Sequence, residues 1–67
     1  MKWQIVATDA ASGREEWTAT PAELLEANPG DDLIRAGVAA LEVDATVVFF
    51  LPTHAGALYL ERREVRR

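Results

Sequence analysis

Residues 46 to 51 read Thr-Val-Val-Phe-Phe-Leu, and five of these six side chains are β-branched or aromatic. The run carries no charge and lies between Asp44 and Pro52. A short apolar run with such boundaries is typical of a strand that is buried on both faces. We therefore expect residues 46–51 to lie inside a small sheet that the rest of the chain covers.

A first β-hairpin is predicted near the start of the chain. Residues 2–8 and 14–19 have strand-like patterns, and the segment between them, Asp-Ala-Ala-Ser-Gly, favours a turn. Folding the chain about Ala11 places Ile5 opposite Trp17 and Trp3 opposite Ala19. These four side chains then share one face of the hairpin.

A second hairpin is predicted from the central run and residues 57–63, with a turn at residues 52–56. Folding about His54 places Phe50 opposite Leu58 and Phe49 opposite Tyr59. One face of this hairpin is then available to the helices, and the other is apolar and uncovered. We expect the uncovered face to contact a partner or a second copy of the chain, and its residues are Val47, Phe49, Leu51 and Tyr59.

Helical patterns occupy the middle of the chain. Thr20 and Glu23 have the spacing of a capping box around Pro21, and Asn-Pro-Gly at residues 28–30 ends this first helix. A second helix is predicted from about residue 33 to residue 41. The alternative ends that helix at Gly37 and begins a strand at the next residue; helix is preferred because residues 38–41 lack clean alternation.

These elements predict one α+β domain, residues 1–67, with the order ββα(α)ββ. The sheet is expected to be four-stranded and antiparallel, with one or two short helices packed on one face. Residues 61–67 form a basic C-terminal segment, of which residues 64–67 either fray or extend the last strand. A chain of this size buries only about 60% of its unfolded surface, and it has no cysteine and a single histidine with which to cross-link or hold a metal. Homodimerisation or a protein partner is therefore expected.

The charge is uneven along the chain. Residues 9–44 carry nine acidic and two basic side chains, a balance of −7, whereas residues 61–67 carry two acids and four arginines, a balance of +2. An acidic body favours a basic partner and disfavours nucleic acid. The candidate acidic contacts are Glu15, Glu16, Asp31 and Asp32. The candidate phosphate contacts are Arg62, Arg63, Arg66 and Arg67.

The sequence predicts no catalytic, metal or cofactor site. His54 has no carboxylate or second ligand within its own turn. Glu15 and Glu16 are neighbours in a predicted strand and so point to opposite faces, which prevents them from sharing a proton. Capping of the second helix accounts for the pair Asp31 and Asp32.

The leading interpretation is a small acidic non-enzymatic protein-binding module, an inhibitor or regulator that acts by surface complementarity. A sharper version is a phage-type inhibitor that occupies a basic groove. The alternatives are a nucleic-acid-binding protein that uses the C-terminal arginines and the sheet aromatics, and a self-associating assembly subunit. No run approaches the roughly eighteen apolar residues of a membrane span. The first residues of the sequence lack the apolar segment of a signal peptide, which predicts a cytoplasmic protein.

Overall fold

The chain folds into four strands and two helices in the order ββααββ, which confirms the predicted α+β architecture. The computed structural model describes residues 2–65. The elements are β1 (Trp3–Asp9), β2 (Glu15–Ala19), α1 (Pro21–Ala27), α2 (Asp32–Val43), β3 (Val48–Thr53) and β4 (Gly56–Glu64).

The four strands form one antiparallel sheet with the order β2-β1-β4-β3. The centre of the sheet is therefore the pair β1 and β4. The prediction that residues 46–51 lie inside the sheet is wrong, because β3 is an edge strand. The run places apolar side chains on both faces of β3, but only one of these faces packs against the helices.

The first hairpin forms with the predicted faces but a different register. Ile5 pairs with Ala19 and Ala7 with Trp17, two residues away from the predicted pairing. The Asp9 carboxylate accepts a hydrogen bond from the Ser12 N–H at 2.8 Å and closes the turn. Beyond it the pairing shifts by one residue between Ala7 and Thr8, as in a β-bulge. A shift of two residues preserves the face of every side chain, so the predicted face is correct although the predicted pairs are wrong.

The second hairpin forms with a register one residue away from the predicted one. Phe50 pairs with Tyr59 and Phe49 with Leu60, because the turn contains two residues, His54 and Ala55. A one-residue slip exchanges the two faces of a strand. The predicted pairs of Phe50 with Leu58 and Phe49 with Tyr59 are therefore wrong.

Helix α1 begins and ends as the sequence predicts. The Thr20 side chain accepts a hydrogen bond from the Glu23 N–H at 3.1 Å, and the Glu23 carboxylate accepts one from the Thr20 N–H at 2.8 Å. This completes the capping box, with Pro21 in the first helical turn. The helix ends at Asn28, whose side-chain amide donates to the Leu24 carbonyl.

Helix α2 is longer than predicted and continues to Val43, so the alternative of a strand from residue 38 is excluded. Asp31 caps its start by accepting hydrogen bonds from the Leu33 and Ile34 N–H groups. Gly37 is buried against β3, and a Cβ atom there would lie 2.6 Å from the Phe49 ring. The glycine thus permits close approach of helix and strand.

The hydrophobic core lies between the helices and one face of the sheet. Ile5, Leu41 and Leu60 are the largest side chains that are fully buried. The remaining buried members of this cluster are Ala7, Leu24, Ile34 and Val38. Both helices therefore cover the same face of the sheet, as predicted.

Strand β4 extends to Glu64, which pairs with Trp3, and the Val65 N–H donates to the Lys2 carbonyl at 3.0 Å. Glu64 therefore extends the last strand and Val65 is bonded beside it, which is the second of the two predicted possibilities for these two residues. Arg66 and Arg67 lie outside the described residues.

Candidate functional site

We call the face of the sheet opposite the helices the open face. Val6 and Thr8 of β1, Tyr59 and Arg63 of β4, and the even-numbered residues of β3 point to it, because they alternate with the core residues Ile5, Ala7 and Leu60. Within residues 2–65, neither helix packs on this side. Antiparallel sheets commonly leave one face to solvent, and that face is then polar.

The open face carries an apolar cluster where a solvated sheet face would be polar. Phe50 is 58% exposed and Val48 is 48% exposed. The Phe50 and Tyr59 rings lie 4.5 Å apart between centroids at an interplanar angle of 58°. These three residues, Val48, Phe50 and Tyr59, are called the aromatic patch. Exposed side chains of this size in one place mark a contact surface.

The predicted interface on this hairpin is divided between the two faces. Val47, Phe49 and Leu51 pack against the core, so their assignment to an uncovered face is wrong. Tyr59 does lie on the open face. Sequence reasoning missed Val48 and Phe50, and the signal that could have found them is the two-residue turn, which sets the register.

The two edges of the sheet differ in how far they resist pairing with another strand. Edge strand β2 reads Glu-Glu-Trp-Thr-Ala and contains the irregularity opposite Ala7 and Thr8. Charges and bulges are the usual devices that protect an edge. Edge strand β3 reads Val-Phe-Phe-Leu-Pro-Thr, with no charge and only Pro52 as an obstacle. The unprotected edge is therefore the one beside the aromatic patch.

Arg62 points to the helix side of the sheet and holds the end of α2. Its guanidinium donates to the Leu41 carbonyl at 3.0 Å and to the Glu42 carbonyl at 3.4 Å. It also pairs with Glu64 at 2.8 Å and lies 4.4 Å from the Trp3 ring centroid. These contacts satisfy carbonyls at the negative end of the helix dipole and leave Arg62 ill placed for a phosphate.

Arg63 points to the open face and forms a two-pronged contact with Glu15, with both distances at 3.2 Å. Both side chains are about half exposed. Arg63 of the basic C-terminal segment thus contacts one of the protein's own acidic residues. The other two candidate phosphate contacts, Arg66 and Arg67, lie outside the described residues.

The predicted acidic contacts are already engaged in large part within the chain. Asp31 caps α2 and Asp32 forms an ion pair with Arg35, while Glu15 pairs with Arg63. Glu16 is exposed and lines an open groove of about 240 Å³ at one end of the sheet. The residues that line this groove are Asp9, Glu16, Trp17, Thr53, Ala55 and Leu58.

Two turn carboxylates are held in their charged form by hydrogen bonds. The Thr46 side chain and N–H donate to Asp44 at 2.7 and 2.9 Å and lower the pKa of this carboxyl group. Hydrogen bonds from Ser12 lower the pKa of Asp9 in the same way. Both groups belong to turns, so their shifted pKa values reflect local structure.

His54 is exposed in the turn between β3 and β4. Residues 2–65 contain no group of three or more histidine, aspartate or glutamate side chains placed to hold a metal ion. Over the same range, neither helix has the length and apolar character needed to cross a membrane.

No protein-family model matches this chain, and no curated protein or solved structure matches it either.

Proposed function

We propose that this chain is a small non-enzymatic protein-binding module whose contact surface is the aromatic patch. The observation that carries the proposal is the exposure of Phe50, 58% of whose surface remains open although its ring packs at a tilt against the Tyr59 ring. Aromatic side chains are enriched at the centres of protein interfaces, where they bury much area at low entropic cost.

Protein is favoured over nucleic acid as the partner because the nearby arginines are engaged. Single-stranded nucleic acid requires stacking platforms combined with positive charge along the groove. Arg62 is tied to α2 and Arg63 to Glu15, while Glu61 lies directly opposite Val48 in the patch. Neither of these two arginines therefore offers free positive charge beside the aromatic patch.

The version in which acidic side chains occupy a basic groove has less support. Asp31 caps α2 and Glu15 pairs with Arg63, so a basic partner would compete with contacts within the chain, although the exposed Glu15–Arg63 pair itself contributes little stability. Between about 0.05 M and about 0.5 M salt the screening length shortens roughly threefold, so binding through carboxylates should weaken steeply. Binding through the apolar patch should be nearly independent of salt over the same range.

The test is affinity capture from cell extract, followed by titration of the purified captured protein against three forms of the chain. The forms are the wild type, Phe50→Lys in the patch, and Thr18→Lys on the opposite edge strand of the same face. We expect Phe50→Lys to weaken binding by at least about tenfold and Thr18→Lys by less than about twofold. Equal affinities for all three forms would remove the patch as the binding surface.

A further inference from the structure

We propose that the partner on the β3 edge is a second copy of this chain, whose β3 pairs antiparallel with the first around a two-fold axis at Phe49. The inference rests on the proposed function and specifies its partner. The result is a continuous eight-stranded sheet, with all four helices on one side and both aromatic patches on the other.

The edge of β3 has backbone groups available for such pairing. The two-residue turn closes the hairpin with Thr53 opposite Gly56, and the closing pair of such a turn is hydrogen-bonded. In an antiparallel ladder the hydrogen-bonded positions alternate, so Val48, Phe50 and Pro52 direct their backbone groups away from β4. Pro52 has no N–H to donate, which agrees with this outward position.

The available donors select the register. With Phe49 on the axis, Val48 of one copy lies opposite Phe50 of the other, and each such pair exchanges two backbone hydrogen bonds. Moving the axis to Phe50 would place Val48 opposite Pro52 and lose the bonds that proline cannot donate. A two-fold axis placed between two residues would pair a residue whose backbone groups point away from β4 with one whose backbone groups already bond to β4.

The same register is complementary in its side chains. On the open face Val48 meets Phe50 twice, and aromatic with β-branched pairs stabilise antiparallel strands. On the helix side the half-buried residues Val47 and Leu51 face one another. Asp44 and His54 lie outside β3, the first at the end of α2 and the second in the hairpin turn. Nine consecutive residues between them carry no charge that would oppose the pairing.

The experiment is light scattering and sedimentation of the full chain over a wide concentration range, with matched pairs of variants. Phe50→Lys places a charge in the interface, and Thr18→Lys places the same charge on the other edge. Val48→Pro removes an outward N–H, whereas Val48→Ala shortens the side chain and keeps that donor. Circular dichroism shows that each variant folds.

We expect a dimer for the wild type and Thr18→Lys, and at least about tenfold weaker association for Phe50→Lys and for Val48→Pro relative to Val48→Ala. Equal losses for Val48→Pro and Val48→Ala would overturn edge pairing in favour of stacked open faces. A wild type that stays monomeric at every concentration would overturn the second copy as partner. The proposed function would survive that result if a different captured protein still depended on Phe50, and it would fail if none did.

Discussion

Adjacent arginines on β4 have different roles because neighbouring strand residues point to opposite faces. Arg62 is half-buried against Trp3 and the end of α2, and Arg63 is exposed beside Glu15. Composition alone presents both as members of a basic tail. The alternation of side chains along the strand, which was predicted through residue 63, is what separates them.

Replacing each arginine by methionine tests this difference. We expect Arg62→Met to lower the free energy of unfolding by about 1–2 kcal/mol, since carbonyls at the end of α2 lose a charged donor. Arg63→Met should change it by less than about 0.5 kcal/mol, because exposed ion pairs contribute little. Urea unfolding at one fixed protein concentration measures both. Equal losses of unfolding free energy for the two variants would show that the contacts of Arg62 with the end of α2 stabilise the fold no more than an exposed ion pair does.

The Asp44 carboxyl group offers a second test at the scale of a single residue. Because its pKa is lowered in the folded state, it contributes stability above its unfolded pKa, and this is lost as the pH falls through the folded pKa. Thr46→Val removes the hydroxyl donor with little change of shape and should raise the pKa of Asp44 toward its ordinary value. Carboxyl NMR titration measures the shift. The pKa of Asp9, which Ser12 lowers, should not change, and an unmoved Asp44 would contradict the assigned cause.

The capping residues were the most predictable local feature of the elements. Thr20, Pro21 and Glu23 fix the start of α1, and the hydrogen bonds of the capping box join residues only three positions apart. All residues of this motif can therefore be recognised in one short stretch of sequence. Hairpin registers depend on turn length and bulges, which composition does not determine. The first hairpin kept its faces despite a shift of two residues, and the second lost them through a shift of one.

The contact of α2 with β3 gives a prediction at the scale of two elements. Alanine at position 37 would favour the helix by about 1 kcal/mol on propensity alone. The Phe49 ring occupies the space of the new methyl group, so we expect Gly37→Ala instead to lower stability by about 1–2 kcal/mol. Urea unfolding measures the change.

A double-mutant cycle identifies the cause. Phe49→Leu shortens the facing side chain, and in that background the cost of Gly37→Ala should shrink by at least about 0.5 kcal/mol. A stabilising Gly37→Ala in the wild type would mean that the ring moves aside freely.

At the scale of the whole molecule, the order of the strands was the feature that local patterns could not predict. The run at residues 46–51 is apolar on both faces, and this pattern fits either a central strand or an edge strand with an exposed patch. Pairing of β1 with β4, seven residue pairs long, places the chain's first and last strands at the centre. The candidate site then follows from topology, because the edge leaves Val48 and Phe50 uncovered.

Residue-resolved amide hydrogen exchange at low and high protein concentration tests the pairing of the β3 edge most directly. Phe49 and Leu51 bond to β4 within one copy and should be protected at both concentrations. The Val48 and Phe50 amides point away from β4, so pairing of two β3 edges predicts that they gain protection as the copies associate. Phe50→Lys should abolish that protection at Val48. Exchange at Val48 and Phe50 as fast as in the exposed turn, at every concentration, would contradict edge pairing.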